Sequence, residues 1–177
     1  MVAIIAHLAK VYESLFVRNL SSSSRLLCNP EIPPPPNLHV VLDDRFLADF
    51  DNILIVGDLH GCYDELIEML NLAKKTAKPN ARILKLFVGD LVNKGPKSKQ
   101  VIDHFMHKGK EDMLAVRGNH DERMVQEYQR YIKDKNVKLN PEHEWIRQLD
   151  SEHVDFLVSL PYTISLPKFN SIIGNRG

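Results

Sequence analysis
Three short stretches place chemistry-bearing side chains beside glycine, each directly after an apolar run: Gly57-Asp58-Leu59-His60-Gly61-Cys62, Gly89-Asp90-Leu91-Val92-Asn93-Lys94-Gly95-Pro96 and Arg117-Gly118-Asn119-His120-Asp121. Carboxylate, imidazole and amide oxygen are donors that accept Mn, Fe, Zn or Mg with differing preference. Asp58 and His60 are two apart, so in an extended segment both side chains face one side and can share an ion. Asp90 repeats the Gly-Asp edge, and one carboxylate between two ions can bridge them. Asn119 adds a neutral oxygen, and the adjoining His120 can protonate a leaving oxygen. Singly, each motif has a bland reading: Gly-Asp is turn chemistry, and Gly-Asn-His-Asp starts a helix with Asn119 or Asp121 as its cap. Three in sequence look like half of a two-metal site that hydrolyses phosphate bonds.

Such a site needs a scaffold that delivers the three turns to one edge. From Asp51 the order is apolar run, turn and amphipathic helix, repeated three times. The periodicity predicts strands over 52–56, 82–88 and 113–117, and helices over 63–75, 98–108 and 122–135. This alternation argues for an α/β fold with a parallel sheet, whose ligands bind outside the carboxyl ends of the strands. Residues 136–143 read as a surface loop. Ser151 then caps a helix that Pro161 stops, and strands follow over 162–166 and 169–173.

The 177 residues are 44% apolar and 26% charged, which fits one domain with material left over. Lys plus Arg and Asp plus Glu both number 23, so no global field points to DNA, an anionic membrane or another polyanion, and phosphate recognition must be local. No run of about 18 apolar residues occurs, so no spanning helix is expected. Cys28 and Cys62 are too few for a disulfide framework, making a reducing, cytoplasmic location the default. Residues 1–27 carry Lys10, Arg18 and Arg25 against Glu13, with Ile4, Leu8, Val11 and Leu15 at helical spacing. That is the pattern of a weak mitochondrial transit segment or of an amphipathic helix on the domain. The serines at 21–24 and prolines at 33–36 read as a linker, giving an N-terminal segment 1–37 and a domain 38–177. His104, His107, His143 and His153 read as surface or helix residues, and Trp145 as filling a packing site.

On its three motifs the chain resembles the calcineurin-like metallophosphoesterases, a superfamily that includes serine/threonine protein phosphatases and symmetrical diadenosine tetraphosphatases. The signatures Gly-Asp-x-His-Gly, Gly-Asp-x-Val-x-x-Gly-Pro and Gly-Asn-His-Asp/Glu stand at 57–61, 89–96 and 118–121, and the resemblance covers about 52–173. It implies a two-sheet sandwich flanked by helices, of which this chain supplies roughly the first half. It also implies two divalent ions activating water for in-line attack. Asp58 and His60 would bind the first ion, Asp90 would bridge, and Asn119 would bind the second. His120 would be the general acid, and Arg117 and Lys94 would clamp phosphate oxygens.

Asn93-Lys94-Gly95 where protein phosphatases carry Asp-Arg-Gly, and Asp121 in place of Glu, favour the diadenosine-tetraphosphatase-like branch. Substrates of that branch include dinucleoside polyphosphates, capped RNA ends and inorganic polyphosphate. In the family the last strand leads into His-Ala-Gly, whereas this chain continues Gly174-Asn175-Arg176-Gly177. The second ion would then keep only Asp90 and Asn119, and a sheet without its partner would expose apolar surface. Two alternatives follow: an impaired fragment acting through association with a full-length copy, and a serine/threonine protein phosphatase.

Overall fold
A computed structural model describes residues 32–108 and 112–175. The amphipathic segment, the serine run and Cys28 lie outside the described residues. The elements are β1 (His39–Val41), α1 (Asp44–Leu47), β2 (Asn52–Val56), α2 (Tyr63–Thr76), β3 (Ile83–Phe87), α3 (Ser98–Lys108), β4 (Met113–Ala115) and α4 (Asn119–Lys133). A 3-10 helix at Pro141–Gln148, α5 (Ser151–Ser159), β5 (Thr163–Leu166), a 3-10 turn at Pro167–Phe169 and β6 (Ser171–Gly174) complete them.

The predicted strand-helix alternation builds the central sheet, β2-β3-β4, all parallel. Its register aligns Val56 with Phe87 and Phe87 with Ala115, so three strands stop at one level. The three motif loops therefore leave the sheet side by side. Alternation along β3 explains the layering: Phe87 joins the helix-side core with Leu66, Ile102 and Met124, while Leu84 and Leu86 turn to the opposite face. Phe87 is fully buried and meets Phe105 edge-on at 4.8 Å. Burying such a ring stabilises the fold by roughly 1.5–3 kcal/mol.

The second face is covered. β5 pairs in parallel with β1 and antiparallel with β6, and Ile164, Leu166 and Ile173 pack on Leu84, Leu86 and Val116. The expectation of a sheet without a partner is corrected here, because His39–Val41, too short to stand out in the sequence, closes a second three-stranded sheet. Apolar exposure persists at the β2 edge, where Ile55 is half exposed.

Local corrections have local causes. Helix α4 begins at Asn119, three residues before the predicted start, because Asp121 accepts the Gly118 N–H at 2.9 Å and organises the first turn. Asp150, not Ser151, caps α5, its carboxylate accepting the His153 N–H at 3.2 Å. The predicted loop over 136–143 runs into the 3-10 helix, capped by Asn140 with Pro141 at its start. His143 in the 3-10 helix and His153 in α5 are helix residues, as expected, and both are buried. Ile32, on the linker side of the expected boundary, packs into the helix-side core. Among the described residues no helix is long and apolar enough to cross a membrane.

Candidate metal centre
The first two motif loops are stitched together by backbone. His60 N donates to Asp90 O at 2.8 Å, Gly61 N to Leu91 O at 2.9 Å, and Gly95 N to His60 O at 2.7 Å. The loops approach so closely at Gly95 that a Cβ there would lie 2.3 Å from the His60 carbonyl oxygen. The third loop joins through side chains. Asp121 is fully buried, and its Oδ1 accepts from Leu91 N at 2.8 Å and Val92 N at 3.3 Å while Oδ2 holds Gly118 N. Burial pushes this carboxyl up to about 7, with the Gly118, Leu91 and Val92 N–H groups opposing and Asp90 adding to the rise. The carboxylate thus belongs to the frame that fixes the second loop against α4.

Four non-glycine residues of these loops have left-handed backbone: His60 (φ 46°), Asp90 (φ 50°), Asn93 (φ 69°) and Lys94 (φ 63°). Each conformation costs of order 1–3 kcal/mol, and such strain gathers where side chains must be aimed. Here it turns His60 and Asp90 toward His120. One ligand atom from each of these three residues lies within 4.8 Å of the others, and the His60 and His120 rings meet edge-on at 4.8 Å. Asp90 is buried, and its Oδ1 accepts the His120 N–H at 2.9 Å.

Of the residues expected to form the site, His60, Asp90, Asn119 and His120 converge. The end of the Asn119 amide facing Asp90 is 3.2 Å from Oδ1 and 3.1 Å from Oδ2. Asp58 stands at the rim, 47% exposed, with Oδ2 3.6 Å from His60 Nε2. Lys94 is exposed, and its Nζ lies 2.8 Å from that same His60 nitrogen. Arg117 is redirected. Only 3% exposed, it bonds through Nη2 to the Val158 carbonyl and through Nη1 to Tyr162 Oη at 3.3 Å, so its guanidinium joins β4 to α5 and cannot clamp a phosphate as it stands.

The donor set fits a divalent cation. His120 Nδ1 is buried without a partner, and as an oxygen the Asn119 amide end would meet only acceptors. Burial lowers the His120 pKa, with Asp90 opposing and Lys94, His60 and Arg123 adding to the fall.

The sequence reading left three contributors without a site role. Asp121 was visible as a cap from the Gly-x-x-Asp spacing, but its hold on Leu91 and Val92 spans thirty residues and has no local signature. Ser98, at the start of α3, accepts the Asn93 N–H at 2.9 Å through its hydroxyl. Asn93 itself is buried and donates through Nδ2 to the His120 carbonyl at 3.1 Å. Its contact with His120 is therefore to backbone.

The chain is 29% identical to the zinc-dependent endopolyphosphatase of Saccharomyces cerevisiae over 68% of its own length and 35% of the relative's. It is 33% identical to the symmetrical bis(5'-nucleosyl)-tetraphosphatase of Buchnera aphidicola over 58% of its length and 34% of that protein's. It thus spans about a third of both curated relatives. A crystal structure of a protein provisionally designated a diadenosine tetraphosphatase superposes with a TM-score of 0.59 at 26% identity, covering 80% of this chain and 55% of that one. The model of the calcineurin-like phosphoesterases matches residues 52–169, from the first motif strand to the turn before β6, and the chain belongs to that family.

Proposed function
We propose that the chain hydrolyses phosphoanhydride bonds of dinucleoside polyphosphates or related nucleotides, using two divalent ions drawn from Mn, Fe, Zn or Mg. The observation that carries this reading is the convergence of His60, Asp90 and His120 at the carboxyl edge of the parallel sheet, with Asn119 against Asp90. In support, the two curated relatives are named for polyphosphate and for a bis-nucleosyl tetraphosphate, both of which contain phosphoanhydride bonds.

When bound, the ions would polarise the phosphoryl oxygens and lower the pKa of an attacking water. The residues that would hold them are Asp58 and His60 on one side, Asp90 between, and Asn119 on the other. The His120 N–H fixes one Asp90 oxygen, so the carboxylate is oriented before any cation arrives. The His120 ring, packed on His60, would hold a proton for the leaving oxygen. Lys94 would meet the phosphate as a point charge, swinging away from His60 to do so.

The test is hydrolysis of diadenosine tetraphosphate by the purified chain with manganese, beside Asp90→Asn and His120→Ala. Asp90→Asn should abolish turnover, and His120→Ala should lower it by roughly 10²–10⁴-fold. Turnover unchanged in both variants would overturn the mechanism. A folded chain that binds the ions without turnover would overturn the proposed hydrolysis while leaving the metal centre standing. Faster release of phosphate from phosphoserine peptides would favour protein phosphatase chemistry, against which Asn93, Lys94 and Asp121 argue.

A further inference from the structure
The two sheets leave an apolar groove between their edges. β1 ends one sheet and β4 ends the other, and Val40 and Leu114, the middle residues of these strands, line both of two cavities of about 500 and 680 Å³, which therefore adjoin. The walls of the first are Phe105 and Met106 from α3, Met113 from β4, and Phe156 and Leu160 from α5. Apolar surface gathered in a cleft is costly to leave in water. Its rim is acidic at both ends. Glu152 and Asp155 stand exposed along α5, with no ion pair among the described residues, and Asp43 and Asp49 border the second cavity. Arg82, the cation on that lining, is already 4.0 Å from Asp49 and lies over the Phe50 ring.

The chain enters the fold beside this groove. Ile32 belongs to the same core as Phe105, Met113 and Leu160, and Leu38 O accepts the Tyr162 N–H at 3.0 Å. The approach to β1 thus follows the connection from α5 to β5, whose Leu160 and Pro161 line the first cavity. The sequence ahead of Ile32 has the complementary chemistry: Ile4, Leu8, Val11 and Leu15 recur every three or four residues, and Lys10, Arg18 and Arg25 outnumber Glu13 over residues 1–27. A helix over residues 4–18 would be about 22 Å long. Residues 19–31, fully extended, reach up to roughly 45 Å. A tether of that length holds its end at an effective concentration on the order of millimolar, which favours the chain's own segment over a second copy. We propose that the groove between β1 and β4 is the docking site of residues 4–18, their apolar stripe covering Val40, Leu114 and Phe156, with Lys10 and Arg18 at the acidic rim.

The test is hydrogen exchange of the full chain, read by mass spectrometry, beside a synthetic peptide of residues 1–27. Amides of residues 4–18 should exchange at least tenfold more slowly in the chain than in the peptide, at every protein concentration. Glu152→Lys with Asp155→Lys should remove most of that protection, and adding Lys10→Glu with Arg18→Glu should restore it. Leu8→Asp with Leu15→Asp should remove it as well. Glu152 and Asp155 are exposed, so the charge-reversed domain should keep its circular dichroism spectrum. Equal exchange in chain and peptide would overturn the proposal. Protection that survives both the acidic-rim and the leucine substitutions would overturn it too, since the segment would then lie elsewhere. Protection that grows with concentration alongside the mass of a dimer would assign the groove to a second copy and overturn it. None of these outcomes bears on the metal centre, which lies at the carboxyl edge of the central sheet.

Discussion

Replacing Gly118 by alanine tests how tightly the third loop seats the central carboxylate. A Cβ at this position would lie 2.1 Å from Asp90 Oδ1, 2.3 Å from Asp90 N and 2.9 Å from Asp90 Cγ, against an ordinary contact of 3.4 Å or more. Asp90 would have to retreat by about 1.3 Å, the difference between 3.4 and 2.1 Å. Overpacking of this kind costs about 1–3 kcal/mol, and losing the His120 N–H to the carboxylate adds roughly 1.5–3 kcal/mol. A destabilisation of about 3 kcal/mol or more should lower the unfolding temperature by roughly 6–12 °C. Because metal ligands must stand within about 0.2 Å of their proper distances, Mn²⁺ affinity should collapse as well. The control is Gly57→Ala, where a Cβ meets nothing within 4 Å and φ is not in the left-handed region. That variant should stay within about 1 kcal/mol of the parent. Thermal unfolding and Mn²⁺ titration of both proteins decide the matter: a Gly118→Ala chain as stable and as well loaded as Gly57→Ala would refute the seating of Asp90 described above.

His153 lies between two carboxylates, Nδ1 at 2.6 Å from Asp150 and Nε2 at 2.9 Å from Asp103, tying α5 to α3. Burial raises the Asp103 pKa, but hydrogen bonds from Lys99 and His153 outweigh it and hold the carboxyl below its usual value. Asp103 therefore contributes stability that is present above its unfolded pKa, about 3.9, and lost as pH falls through the lower folded value. His153→Ala should cost roughly 1–3 kcal/mol at pH 7 and flatten the loss of stability below about pH 5, as measured by urea unfolding across pH. Arg117→Lys should lower the unfolding temperature, because a point charge cannot reach both Val158 O and Tyr162 Oη; an unchanged temperature with weakened phosphate binding would return Arg117 to a phosphate role. Lys94→Ala should leave Mn²⁺ affinity equal or higher, since the ammonium occupies the His60 nitrogen a cation needs, while weakening inhibition by inorganic phosphate.

The sequence by itself determined the parallel β2-β3-β4 unit and the three turns at its carboxyl edge, because both are local. Apolar runs of strand length, helical periodicity and glycine placed after each run are properties of short windows. The donor types could be read from side-chain chemistry, and the family from the resemblance of three contiguous motifs to known signatures. Only the tertiary structure decided which residues serve the frame. Asp121 and Arg117 sit within four residues of each other in one motif, yet the first fastens the second loop and the second anchors β4 to α5. Their partners lie about thirty and forty residues away, beyond any periodicity. The second sheet was illegible for the same reason, because β1 pairs with β5 across more than one hundred residues and has no long pattern of its own. Local chemistry is written in the order of residues, but contact between distant segments is settled by how sheets and helices bury their apolar faces.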